Sequence, residues 1–136
     1  MKKRIPYLLL PLITLILEIL PYGAVCNFAT ETRRIRELYS YFDLTPYGYA
    51  NFAPFLTALL TCIILVLLTA WCFTGKRQIM TAAKVLLAVG AVLSLCPLLL
   101  GIDCFSVVGA LITLTLAAEI LLVYFKFKTP KNESDR

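Results

Sequence analysis

The sequence predicts an all-α membrane protein: a polytopic four-helix transmembrane bundle with a short amphipathic helix in its outer loop. Three observations carry this prediction. Of 136 residues, 60% are apolar or aromatic and only 15% are charged, against about 45–50% apolar and 25% charged in a soluble domain. Mean hydropathy is +0.86, an excess that a globule of this size cannot bury. The apolar residues also gather in four runs, each near the roughly 20 residues that cross a hydrocarbon core about 30 Å thick. The same composition excludes a disordered chain and a small disulfide scaffold.

The runs cover about 5–25, 52–73, 79–100 and 104–125, within a single membrane domain 1–136. Between the first two lies an outer loop over 26–51, and a tail over 126–136 follows the last. The first run begins after Met1-Lys2-Lys3-Arg4, which gives it the look of a signal peptide. A cut after Ala24 would leave Tyr22 where a small residue is required, and a cut before Cys26 would leave Val25 where Gly or Ala is wanted. The run is therefore read as a retained span. Spans two and three are joined by the tight Thr74-Gly75-Lys76-Arg77-Gln78. Spans three and four are joined by Gly101-Ile102-Asp103 alone, which forces an antiparallel hairpin. Gly101 can take the left-handed conformation that closes a helix, and Asp103 can cap the next one.

Orientation follows from Lys and Arg, which are retained on the cytoplasmic side. Lys2, Lys3, Arg4, Lys76, Arg77, Lys126, Lys128, Lys131 and Arg136 fall at one face. The other face has Arg33, Arg34 and Arg36, offset by Glu31, Glu37 and Asp43. Both termini are expected to be cytoplasmic. The basic pI of about 9.0 then records topology and a weak attraction to anionic lipid. It does not indicate nucleic-acid binding.

Within the outer loop, Ile35, Leu38, Tyr39 and Phe42 follow the i, i+3, i+4, i+7 spacing of one helical face. Thr30 is a suitable N-cap, so a helix is predicted over about 31–42, lying at the headgroups. An irregular loop or short hairpin competes, because Tyr39, Tyr41 and Phe42 also favour strand. Pro21-Tyr22-Gly23 recurs as Pro46-Tyr47-Gly48, read as turn and aromatic-belt chemistry used twice.

Ionisable residues are costly in hydrocarbon, so each one inside a span is a functional candidate. There are three: Glu18, Lys84 and Glu119. Counting from a hairpin centred on Gly101 and Ile102 places Lys84 and Glu119 at one depth, on the order of 10 Å from the inner surface. They are expected to face each other as an intramembrane ion pair; the competing reading has Lys84 snorkelling to the headgroups beside a neutral Glu119. Glu18 lies on the order of 20 Å from the inner end of its span, where no Lys or Arg matches its depth. It is the candidate proton or substrate site, either hydrogen-bonded to Thr or Tyr hydroxyls or open to a wet cleft. Thr57 and Thr61 of the second span share its depth.

Other chemistry is sparse. No histidine is present, which removes the commonest metal ligand and general base. Cys26, Cys62, Cys72, Cys96 and Cys104 contain no C-x-x-C, although a Cys26–Cys104 bridge is compatible with their position at the outer face. No phosphate-binding glycine loop, nucleophile elbow or acidic metal cluster is present. The expectation is a protein without metal or cofactor that is not an enzyme.

The stretches Ile19-Leu20-Pro21-Tyr22-Gly23-Ala24-Val25 and Tyr41-Phe42-Asp43-Leu44-Thr45-Pro46-Tyr47-Gly48-Tyr49-Ala50-Asn51-Phe52 resemble a group of small bacterial four-span membrane proteins of unknown function. That resemblance implies a bacterial plasma membrane and assigns no activity. Two functional readings follow. One is a non-enzymatic accessory protein whose outer loop and small-residue faces, such as Gly109, Thr113 and Ala117, contact a membrane-protein partner or a second copy. The other is a small proton-coupled transporter using Glu18, similar in outline to the small multidrug-resistance exporters. The charge bias and the long outer loop depart from that second pattern.

Overall fold

The computed structural model describes residues 5–49 and 51–128, the side chains of 48, 49 and 126–128 apart. Lys2, Lys3, Arg4, Lys131 and Arg136, with most of the predicted tail, lie outside the described residues. The chain is mostly helical. Helix α1 covers Pro6–Ile19, and the long helices are α3, Ala53–Thr74, α4, Arg77–Leu99, and α5, Val107–Lys128. Between α1 and α3 come strands β1, Ala24–Ala29, and β2, Arg34–Tyr39, and a short helix α2, Leu44–Tyr49.

The three long helices are each long and apolar enough to cross a membrane. Their outward positions are apolar as well: Val66 is 68% exposed, Val92 66% and Leu114 64%. A helix packed in water would carry polar side chains there. Helix α1 corrects the predicted span over 5–25. Its 14 residues rise only about 21 Å, less than the hydrocarbon thickness. It stops because Leu20 precedes Pro21, whose ring drives the preceding residue out of the helical region; Leu20 has φ −62° and ψ 136°. Hydropathy runs on through Pro21, but helical hydrogen bonding does not.

The residues released by that stop pair with the loop. Strands β1 and β2 are antiparallel, with Ala24 opposite Tyr39 and Ala29 opposite Arg34. Thr30 and Arg33 close the turn through reciprocal backbone hydrogen bonds of 2.9 and 3.3 Å. The helix predicted over 31–42, with Thr30 as its cap, is therefore replaced by a hairpin. The helical spacing used four residues, whereas Val25, Phe28, Ile35 and Tyr39 all favour strand, and β1 supplies a partner. The loop does hold a short helix, but it is α2, further along.

Asp43 caps α2, its Oδ1 accepting the Thr45 amide at 2.8 Å. The Thr45 amide, and then its hydroxyl, hold the Asp43 carboxyl below its ordinary value. Because the folded value is the lower one, this cap stabilises α2 above the ordinary Asp range and is lost as pH falls through the folded value. Asp43→Ala is expected to cost about 1 kcal/mol locally. Amide exchange at Thr45 and Tyr47 checks this: it should accelerate in the variant at pH 7, and in the wild type only on acidification below about pH 4.

Helix α1 packs against α3 and α5, α3 against α4, and α4 against α5. The shared core is built from Ile64 and Leu68 of α3, Met80, Ala83 and Leu87 of α4, and Ile112, Leu116 and Val123 of α5. At the end away from the hairpin, Tyr7 and Trp71 meet edge to face with centroids 5.8 Å apart. Gly75, at φ 67°, closes α3 there, its amide donating to Trp71 O at 2.8 Å. At the hairpin end, Gly101 takes φ 134° and leads into a 3-10 turn over Ile102–Cys104. Ser106 rather than Asp103 caps α5, its Oγ accepting the Gly109 amide at 2.8 Å.

Candidate functional site

Polar groups are buried at several levels between the helices. Near the hairpin end, Thr61 Oγ1 on α3 donates to Glu18 Oε1 at 2.8 Å, so the depth match between these residues is realised. Thr61 Oγ1 also lies 3.1 Å from Thr57 O. One turn further along α1, Thr14 Oγ1 donates to Thr115 Oγ1 of α5 at 2.9 Å. Glu18 and Thr14 are both 0% exposed. Glu18 Oε2 has no hydrogen-bond partner.

The Thr14–Thr115 contact fixes the register of α1 against α5, and Ser106 Oγ donating to Gly23 O continues it. Glu119 is thus level with Leu10, two turns or about 12 Å from Glu18. It is 1% exposed, and neither of its carboxyl oxygens has a hydrogen-bond partner. Neither oxygen therefore accepts a hydrogen bond from Lys84, the partner predicted for it. Thr113 Oγ1 donates to Ser94 Oγ at 3.1 Å, which sets Glu119 level with Ala88 and Lys84 level with Val123. The two are offset by one turn, about 6 Å. The cause is the connection: the 3-10 turn moves the hairpin centre beyond Gly101 and Ile102 and slides α5 against α4. Lys84 itself is half-buried on α4.

The site residue that sequence reasoning missed is Tyr41. Its backbone amide donates to Glu18 O at 3.0 Å and Ser40 Oγ donates to the same carbonyl at 3.2 Å. The returning loop thereby satisfies a carbonyl that the end of α1 leaves without a helical donor. The Tyr41 ring is 1% exposed, and it is seated on glycine. A Cβ at Gly23 would lie 2.8 Å from Tyr41 Cδ1, and one at Gly109 would lie 3.3 Å from the Tyr41 hydroxyl. Burial, with the field of Glu18 adding to it, raises the Tyr41 phenol above its ordinary value. The local signal was the pair of glycines, which the sequence offered only as a turn and a small-residue face.

The hairpin carries its own polar chemistry. Tyr39 donates its hydroxyl to Glu37, which pushes the phenol up to about 12. Cys26 is buried, and burial followed by the fields of Asp43, Glu37 and Cys104 raises its thiol. Both Cys26 and Cys104 are free, so the bridge compatible with the sequence is not formed; Asn27 Nδ2 donates to Cys104 Sγ at 3.4 Å. Among the described residues no three His, Cys, Asp or Glu side chains converge on a metal position. Comparisons with known protein families, with curated proteins and with solved structures give no match.

Proposed function

We propose that this chain is a multi-pass protein of the bacterial plasma membrane with both termini cytoplasmic, folded as a four-helix transmembrane bundle in which the 14-residue α1 is continued across the outer part of the bilayer by the turn over 20–23. Its work is that of a non-enzymatic accessory or interaction protein, contacting a membrane-protein partner or a second copy through the outer hairpin. One observation carries the reading: β2 is exposed at every residue from Arg34 to Leu38, while the base of the hairpin is locked down. A two-stranded hairpin is marginal in water by itself. Here Ala24, Val25 and Cys26 are buried, and Tyr41 anchors the chain that follows β2. The element contributes little core and is held in place, which suits display. Among the described residues strand β2 pairs with β1 alone, leaving an edge of the kind that accepts a partner strand. The Lys and Arg distribution supports the orientation, since Lys76 and Arg77 lie at the opposite end from the hairpin.

A second reading, the proton-coupled transporter using Glu18, is favoured by the three partnerless oxygens of Glu18 and Glu119. Against it stands the burial of Glu18, which is 0% exposed. Purification of the tagged protein from its native membrane in mild detergent separates the two. A stoichiometric second protein, or a defined homo-oligomer, is the expected result. A monomer that supports proton-linked flux in vesicles, lost in Glu18→Gln, would establish the transporter instead.

A further inference from the structure

We infer that the cleft between the hairpin and the start of α5 binds the phosphate-bearing headgroup of an anionic phospholipid. The cavity has a volume of about 300 Å³ and is lined by Tyr22, Arg36, Leu38, Ser106, Val107 and Val108. Side chains alternate along a strand, so Arg36 and Leu38 share the face of β2 turned to α5. Glu37 and Tyr39 take the other face and are hydrogen-bonded to each other. The carboxylate that offsets Arg36 in the composition of the loop is therefore directed away from the cleft. Among the described residues that line it, Arg36 alone is charged. Its Nη2 donates to Phe105 O at 3.4 Å, which holds the guanidinium at the mouth and leaves most of its five donors for a ligand. A guanidinium fork matches two phosphate oxygens at once.

The surroundings are what make the ligand a lipid. Val107 is 79% exposed, and nearby Ile102 and Leu99 are 82% and 85% exposed. A cation in a cleft rimmed by open apolar surface is complementary to an anionic head with acyl chains. Tyr22, 55% exposed, adds a hydroxyl at the height where aromatic side chains meet headgroups. Ser106 is already engaged, donating to Gly23 O and accepting from Gly109, so it shapes the floor and Arg36 supplies the charge. The leaflet concerned rests on the orientation proposed above; the site itself does not.

The test is lipid retention by native mass spectrometry after reconstitution into nanodiscs of equal phosphatidylglycerol and phosphatidylcholine. The wild type is expected to retain phosphatidylglycerol preferentially. Arg36→Gln should lower that retention roughly tenfold, the loss of one charge-assisted contact, while Arg33→Gln in the turn leaves it unchanged. Val108→Trp fills the cleft, keeps the guanidinium, and should lose the lipid too. Equal retention in wild type and Arg36→Gln overturns the site. Displacement by free glycerol phosphate at similar concentration overturns the lipid assignment in favour of a phosphate site. Trypsin cleavage after Arg33 or Arg34 from outside sealed vesicles reports orientation separately, so failure there overturns the leaflet alone.

Discussion

Replacing Tyr41 by Ala is expected to cost about 3–5 kcal/mol, the range for removing a buried aromatic ring, and to expose Glu18 to water. The ring is fully enclosed, fills the space over Gly23 and Gly109, and comes from the loop that satisfies the Glu18 carbonyl. Without it, the segment packed on the end of α1 that carries Glu18 would loosen, and the Glu18 side chain is otherwise 0% exposed. Unfolding in mixed micelles of rising SDS fraction measures the first effect. Labelling with a water-soluble carbodiimide and amine, mapped by mass spectrometry, measures the second. Wild-type Glu18 should resist the reagent and the Tyr41→Ala protein should not. Tyr41→Phe keeps the ring and should stay within about 1.5 kcal/mol of wild type. Gly23→Ala forces a methyl to 2.8 Å from the ring and should cost about 1–3 kcal/mol as overpacking. Labelled Glu18 in a wild-type protein that is still folded would show that Glu18 is open to water with Tyr41 in place.

The second large effect has the opposite sign. Glu119→Leu is expected to stabilise the protein by about 1–3 kcal/mol, because a buried polar group with no partner carries its desolvation cost unrelieved. Leu is close to Glu in volume and suits the neighbouring core residues Leu87, Leu116 and Val123. Were Glu119 held by a cation, breaking that pair would instead cost about 3–5 kcal/mol. The same micelle titration distinguishes gain from loss. Thr61→Val provides the contrast: it removes the donor to Glu18 Oε1 and should destabilise by about 1 kcal/mol, near the upper part of the range for hydrogen bonds between membrane helices.

These two acids also show what was legible before the structure. The three long helices could be read because length and hydropathy alone define them, and the ends of α3 fall within a residue of the predicted span. The Glu18–Thr61 contact could be read because both depths are counted from clear helix ends. The equal depth expected of Lys84 and Glu119 was misplaced through its hairpin centre, since the 3-10 turn slides one helix by a full turn against the other. The β-hairpin was legible only as the competing reading, because the first two residues of β1, Ala24 and Val25, fall within the first predicted span and the spacing of Ile35, Leu38, Tyr39 and Phe42 is helical. Tyr41 was illegible because its role is tertiary: nothing near it in the chain indicates that Gly23 and Gly109, 86 residues apart in the sequence, make room for one ring.

The claim at the centre of this account is that the hairpin is the contact surface and the helical body its anchor. Site-specific photo-crosslinking in the native membrane tests this most directly, with the reactive residue placed at Ile35 on the exposed strand or at Val66 on the outward face of α3. A single discrete protein adduct is expected from Ile35 and only lipid adducts from Val66. No protein adduct from Ile35, with a defined one from Val66, would contradict it and move the contact surface into the membrane.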